Sequence, residues 1–276
     1  MPKSGITAIL GVILNSQKNK SKFSEKCSLF FSLTNLFIYS KFNKKTNDLV
    51  TGSFLNFKVS GYSYNNLAYL LSEIFISNEY FFTPTTSEPV IIDCGANIGM
   101  SILYFKKLFP NSKIIAFEAN PNAYKLLEKN MLDNEIQNVE LHNIALFDKE
   151  TEISFFISDD KGTLLGSTQA ERGGTFELKV PAQKLSTYLK NIQPVDLIKM
   201  DVEGAEIEII ADLFDSTYIS KAKEYIIEYH HNVGESKSGL SSFLQKFESN
   251  GYNYSIKTDF DVLNEFQDIL IHFYKN

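Results

Sequence analysis

With only two cysteines in 276 residues, Cys27 and Cys94, the chain has no material for a disulfide framework, and a reducing compartment, the cytoplasm, is the expected setting. Cys94 reads as a small packing residue, because no base stands beside it in sequence to make it a nucleophile. Arginine is scarcer still. Arg172 is the sole guanidinium among 27 basic residues, so the positive charge is carried by lysines acting as solvated points and not as planar clamps. Against 33 acidic residues this leaves a net charge of -6, which argues against sequence-independent nucleic-acid binding, since phosphate neutralisation needs a basic face. Tryptophan is absent, and there is no internal repeat or low-complexity linker. No apolar run is long enough for a membrane span. Ile6 to Leu14 follows Lys3 but is too short and lacks a small-residue cleavage pattern, and Ile6, Ile9, Leu10 and Ile13 have the spacing of a docked terminal helix.

What is present is concentrated first in Pro89 to Gly99, where an apolar strand runs into Asp93, Gly95, Asn97 and Gly99. Gly95 and Gly99 allow a tight turn and close approach to a ligand. Ile98, Ile102, Phe105 and Phe109 then predict a helix whose amino end faces the same point. A dinucleotide site calls for G-x-G-x-x-G, whereas here Asn97 stands where the second glycine belongs. The pattern D-x-G-x-N-x-G therefore disfavours a pyrophosphate and suits a cationic ligand such as an ammonium or sulfonium beside Asp93.

A second strand, Lys113 to Phe117, ends at Glu118, about 20 residues on, the position of an acidic side chain that accepts ribose hydroxyls. Asn120 and Pro121 follow as N-cap and first helical residue. A third strand-to-helix junction, Asp196 to Glu206, is loaded with carboxylates. Together, Ile92 to Gly99, Phe117-Glu118-Ala119-Asn120-Pro121, Asn143-Ile144-Ala145-Leu146 and Ile198 to Glu206 resemble the motifs of the FkbM family of S-adenosylmethionine-dependent methyltransferases, over roughly residues 50 to 275. Glu73-Ile74-Phe75 and Tyr80 resemble the family's approach to its first strand.

The resemblance implies an α/β fold with a Rossmann-like seven-stranded sheet in the order 3-2-1-4-5-7-6, binding S-adenosylmethionine and methylating a hydroxyl on a saccharide or other small hydroxylated molecule. It places Asp93, Gly95, Asn97 and Gly99 around the methionine part of the cofactor, Glu118 at the ribose and Ala145 with its neighbours at the adenine, with Asn120 also among the cofactor-binding residues. Because Ala145 cannot bond the exocyclic amine, backbone groups or Asn143 would serve there. Two other classes remain open at this level: a nicotinamide oxidoreductase, against which the missing glycine weighs, and a degenerate cofactor-binding scaffold, against which the intact motifs weigh.

The expected organisation is an N-terminal helical and hairpin extension, residues 1–85, and a catalytic domain, residues 86–276. In the extension, Leu29 to Tyr39 is strongly apolar, Phe54 to Tyr64 alternates like a hairpin, and Leu67, Leu70, Leu71, Ile74 and Phe75 mark an amphipathic helix; the extension as a whole is expected to pack on the catalytic sheet and cover the acceptor site. In the catalytic part, Val139 to Ala145 reads as the third strand. Glu152 to Ile157 and Thr175 to Val180 read as an inserted pair enclosing a glycine-rich segment, Asp159 to Gly174, which reads equally as an exposed hairpin tip or as a mobile flap with Arg172 facing an anionic acceptor. The strand Tyr225 to Tyr229, a helix through Leu240, Phe243, Leu244 and Phe247, and an antiparallel pair at Tyr252 to Ile256 and Ile269 to Phe273 complete the sheet.

Methyl transfer to an alcohol needs alignment and a base. Asp201, Glu203, Glu228 and His230 are the candidates, since adjacent parallel strands end there. His230 is the best base by its ordinary titration range and Asp201 by position. A divalent metal held by the same carboxylates is the alternative. The partner is a small-molecule or glycan acceptor; nothing in the sequence sets the oligomeric state.

Overall fold

The computed structural model describes residues 23–42, 49–157, 166–168, 173–192, 194–231, 239–258 and 267–275. Ile6 to Leu14 and Arg172 lie outside the described residues. Helix α1 (Phe23–Phe42) is followed by the hairpin β1 (Val50–Phe54) and β2 (Phe57–Gly61), paired from Val50 opposite Gly61 to Phe54 opposite Phe57. The hairpin starts earlier than the alternation of Phe54 to Tyr64 suggests. Its two-residue turn is Leu55-Asn56, both left-handed with φ of 46° and 70°, the backbone that matches strand twist. Ser63 caps α2 (Tyr64–Leu70), its hydroxyl accepting from the Asn66 N–H, and the helix widens into a π-helical turn over Leu71–Ile76.

The central unit alternates strand and helix: β3 (Val90–Cys94), α3 (Met100–Leu108), β4 (Lys113–Phe117), α4 (Pro121–Asp133) and β5 (Val139–His142). An insertion follows, with β6 (Ala145–Leu146), β7 (Thr151–Ile157), β8 (Gly166–Ser167) and β9 (Phe176–Gln183) forming a four-stranded sheet ordered β6-β9-β7-β8. The chain returns through α5 (Leu185–Leu189), β10 (Val195–Met200), α6 (Glu206–Asp215), β11 (Ala222–His231), α7 (Leu240–Glu248), β12 (Asn253–Thr258) and β13 (Gln267–Tyr274). The main sheet runs β12-β13-β11-β10-β3-β4-β5, and β13 is antiparallel to both its neighbours.

The expected third strand is shorter than its sequence suggests. β5 stops at His142, and Ala145 belongs to the inserted sheet, parallel to β9. Asn143 makes the break: its side-chain amide donates to the carbonyls of Glu118 at 2.8 Å and Ala119 at 3.3 Å, so the ladder ends and the chain turns off the sheet. The flap expectation is also altered where it can be seen. Gly166–Ser167 is a buried strand pairing with Phe156 and Ile157, and Ser167 donates to the Glu203 carbonyl at 2.5 Å.

Two apolar layers hold the sheet. Successive strand residues face opposite sides, so Ile91, Leu197 and Ile226 join the layer that includes Leu29, Leu33, Phe75 and Phe105, while Ile92, Ile198 and Ile227 join Ile209, Phe243 and Phe247. The N-terminal elements thus share a core with one sheet face. Asn130, fully buried on α4, ties them down: its carbonyl oxygen accepts from the Ser60 N–H at 2.7 Å, and its amide donates to the carbonyls of Ser60 at 3.0 Å and Ile98 at 2.8 Å. Asn130→Ala strands three buried backbone groups and is expected to lower stability by about 3 kcal/mol. An unchanged urea midpoint would remove this staple from the account.

Candidate active site

The switch point of the sheet lies between β3 and β10, whose carboxyl ends diverge to neighbouring strands. There the Gly95 and Ala96 N–H groups both donate to the Phe117 carbonyl at 2.9 Å, and the Asp201 N–H donates to the Cys94 carbonyl at 3.0 Å. Gly95 has φ of 83°, and a Cβ on it would sit 1.8 Å from the Asp201 carbonyl oxygen, so no larger residue fits between the strand ends. The loop opens onto a cleft of about 620 Å³, mouth included, with Gly95, Asn97, Glu118, Asn120 and Asp201 on its polar side and Ile144, Ala145, Leu146 and Phe155 on its apolar side.

Glu118 is held in place by the backbone. One carboxylate oxygen accepts from the Asn120 N–H at 2.7 Å and the other from the Asn97 N–H at 2.8 Å. Each oxygen keeps a further lone pair. Burial raises its pKa to about 7, against the opposing pull of those two N–H groups and of Lys199. Asn120 caps α4, its side chain accepting from the Asn122 N–H. In the cleft wall, Asn97 Oδ1 and Thr168 Oγ1 are buried with no hydrogen-bond partner among the described residues. Buried polar groups of this kind are ordinarily satisfied, so the wall is built for a ligand that brings its own polar groups.

Two residues expected at the ligand are elsewhere. Asp93 is fully buried beneath the loop, 3.2 Å from Lys199 Nζ and accepting from the Ser101 hydroxyl at 2.5 Å. It braces the loop and does not line the cleft. Gly99 is likewise inside: it precedes α3 with φ of 90°, and a Cβ there would come within 2.7 Å of Leu127 and Met131. Asn143 fixes backbone, as above, and its amide is occupied. The sequence reading missed Phe155 and Thr168, which the inserted sheet brings over the cleft; a pairing between a distant hairpin and a strand end leaves no local signal.

Beside the cleft, Met200 pairs with Ile227, so Asp201 and Glu228 continue adjacent strands at one level. His230, on the same strand as Glu228, is buried. Its Nδ1 is 2.7 Å from Glu206, and its Nε2 lies 3.3 Å from Glu203, 3.6 Å from Asp268 and 3.9 Å from Asp201. Burial alone would lower its pKa, but Glu206 first, then Glu203 and Asp201, raise it to about 10. These carboxylates favour the imidazolium form of the ring. That environment weighs against His230 as the base and toward Asp201, because a ring protonated on both nitrogens accepts no proton. Glu228 is pushed well above the usual carboxylate range by burial and by Asp201. From the N-terminal elements, Glu73 is raised to about 7 by burial, and the field of Asp201 reaches it; Tyr62 is raised to about 12 by burial and by Glu118. Neither was singled out for chemistry, since both stand outside the strand-end motifs. Asp201, Glu203 and His230, and separately Glu228, His230 and Asp268, present atoms within 4.8 Å of one another, close enough to ligate one cation.

A strand-end glycine loop, an acidic residue closing the next strand and an apolar wall beyond it form one continuous site, and the family comparison falls on the same residues. The methyltransferase FkbM domain matches residues 93–254. The chain belongs to that family. Methyltransferase 1 of Beauveria bassiana is 27% identical over 209 residues, covering 68% of this chain and 82% of the relative. The 2-O-methyltransferase NoeI of Sinorhizobium fredii is 29% identical over 140 residues, covering 45% of this chain and 57% of the relative. Among solved structures, TYW2 of M. jannaschii in complex with AdoMet aligns at a TM-score of 0.46 with 16% identity, covering 84% of this chain and 89% of that one. The protein is an S-adenosylmethionine-dependent methyltransferase, and the oxidoreductase and scaffold readings fall away.

The charge on His230 has a measurable sign. Its folded pKa of about 10 lies above the ordinary 6.5, so its stabilising contribution is complete below pH 6.5 and is lost as pH rises through 10. The stability difference between the protein and its His230→Gln variant should shrink between pH 7 and 10. Parallel pH profiles for the two would show that the ring is neutral.

Proposed function

We propose that the protein is an O-methyltransferase acting on a hydroxyl of a saccharide or another small hydroxylated metabolite, with the cofactor lodged along Gly95, Asn97, Glu118, Asn120 and Ala145. The observation that carries this reading is the position of Asp201, which lines the cleft and also faces the carboxylate and imidazolium cluster next to it. The name of the relative NoeI, a 2-O-methyltransferase, is in keeping with it. The residues fit the cofactor: a doubly braced carboxylate at Glu118 suits ribose hydroxyls, the unpartnered Asn97 and Thr168 oxygens suit donors, and Ile144, Leu146 and Phe155 suit a flat base. When bound, S-adenosylmethionine supplies an electrophilic methyl carbon.

Asp201 takes the proton of the acceptor hydroxyl as its oxygen becomes nucleophilic. His230 stays charged throughout and acts by position: its Nε2 faces Asp201 and Glu203, and Glu206 holds the ring from behind. Glu228 stands beside Asp201 at the end of the adjacent strand, where burial and the Asp201 charge favour its protonated form.

Glu118→Ala should weaken binding of S-adenosylhomocysteine by about 1.5 to 3 kcal/mol in calorimetric titration, the worth of charge-assisted hydrogen bonds; an unchanged dissociation constant would take Glu118 out of the site. Asp201→Asn should cut the rate of methyl transfer to a hydroxylated acceptor by roughly 10² to 10⁴ while S-adenosylhomocysteine still binds. Loss of turnover on adding a chelator, restored by a divalent metal, would move the carboxylate cluster from proton transfer to metal binding.

A further inference from the structure

Helix α1 is apolar on two opposite sides. Leu29, Leu33 and Leu36 point inward and are buried in the core shared with the sheet. On the other side Phe31, Ile38 and Phe42, at i, i+7 and i+11, make an outward stripe exposed to 63%, 46% and 83%, with Tyr39 at its edge exposed to 51%. A helix whose inner face alone serves the fold has no use for three large apolar side chains on the outer face, where a polar residue would serve.

Charge is sorted in the same way. The first 46 residues carry eight lysines and a single acidic residue, Glu25, whereas the remaining 230 carry 19 basic and 32 acidic residues. Even Glu25 is turned to the protein, paired with Lys107 of α3 at 3.2 Å. Lysines flank the stripe in sequence on both sides: Lys18, Lys20 and Lys22 precede α1, Lys41 stands exposed in its last turn, and Lys44 and Lys45 follow.

We propose that α1 is a peripheral docking face for an anionic lipid surface, with Phe31, Ile38 and Phe42 entering the headgroup and acyl boundary and the flanking lysines meeting the lipid charge. Aromatic and aliphatic side chains bordered by lysines are the composition that settles at this boundary. The helix lies on the surface and does not cross it, because its leucine face remains in the protein core and no described helix is long and apolar enough to span. A second copy of the chain is the poorer occupant: pairing α1 with itself would bring two sets of lysines together, and like charges across an interface oppose association. The acidic remainder of the molecule is repelled by the same lipid charge, which leaves this face as the one that approaches.

The test is co-sedimentation of the full chain with phosphatidylcholine vesicles containing about 30 mol% phosphatidylserine, against phosphatidylcholine alone. Wild type should pellet with the anionic vesicles and be released by about 0.5 M salt, where charge attraction is screened. The triple variant Phe31→Ser, Ile38→Ser, Phe42→Ser alters exposed positions, so it should keep its circular dichroism and melting temperature and lose at least about tenfold in partition. Lys41→Glu with Lys44→Glu and Lys45→Glu should reduce partition into anionic vesicles by about fivefold or more per site, a readout that stands even if the triple variant fails to fold. The proposal is overturned if wild type ignores vesicles at low salt or binds both compositions equally. It is also overturned if wild type sediments as a dimer that the serine variant dissociates, which would give the face to a second copy.

Discussion

Everything at the active cleft rests on a buried ion pair beneath it. Lys199 and Asp93 sit on neighbouring parallel strands, paired in register, with side chains 3% and 0% exposed and 3.2 Å apart. Lys199 also donates to the Gly95 carbonyl at 2.6 Å and lies 5.2 Å from the centre of the Tyr80 ring. Burial works against its charge, and Asp93 and Asp201 more than offset this, holding its pKa above the ordinary value. Such a pair gains little over an apolar substitute, yet losing one partner strands a charge in the interior, at about 3 to 5 kcal/mol. Its use here is positional. The ammonium pulls the glycine loop down onto the sheet, Ser101 anchors the far side of Asp93, and the loop acquires a fixed shape that its own sequence, rich in small residues, would not hold.

The second charged network lies at the surface of the same strand ends and has a different logic. Asp201, Glu203, Glu206, Glu228 and Asp268 gather around one imidazole, and Glu206, Glu203 and Asp201 favour its protonated form. Glu203 occupies a left-handed backbone, φ 60°, in the turn between β10 and α6, and Gly204 follows at 110°. That turn aims the carboxylates at His230 instead of letting α6 begin at once, and Ser167 of the inserted sheet fastens its carbonyl. A non-glycine residue held in this region costs of order 1 to 3 kcal/mol and persists where the surroundings over-determine it.

The insertion walls this centre, and the N-terminal elements bring Glu73 and Tyr62 into its electrostatic field. The insertion contributes the apolar wall through Phe155, while the N-terminal helix brings Glu73 into the field of Asp201 by way of a π-helical turn, a departure from α-helical spacing that often marks functional positions. The same N-terminal elements present the outward stripe of α1. One short stretch of chain thus meets the site on one side and solvent with apolar residues on the other, and its inner contacts are what keep α1 from being an independent helix.

The sequence by itself determined the succession of strands and helices and the location of the site. β3, β4, β10 and β11 each carry an apolar centre, Val90 to Ile92, Ile114 to Phe117, Leu197-Ile198 and Tyr225 to Ile227, as strands covered on both faces must, and each leads into the residue types that meet a ligand. Gly95, Asn97 and Glu118, marked by their spacing, and Asn120 and Ala145, marked by the family resemblance, line the cleft. Tertiary structure decided which polar residues face it. Asp93 and Asn97 are four residues apart in one loop, but a lysine 106 positions beyond Asp93 captures the first and leaves the second in the wall. His230 has an ordinary imidazole's titration range in sequence, and only the convergence of carboxylates in space shifts it toward the protonated form. Electrostatic energy depends on distance in space, and local pattern carries that distance only where the partners are neighbours along the chain.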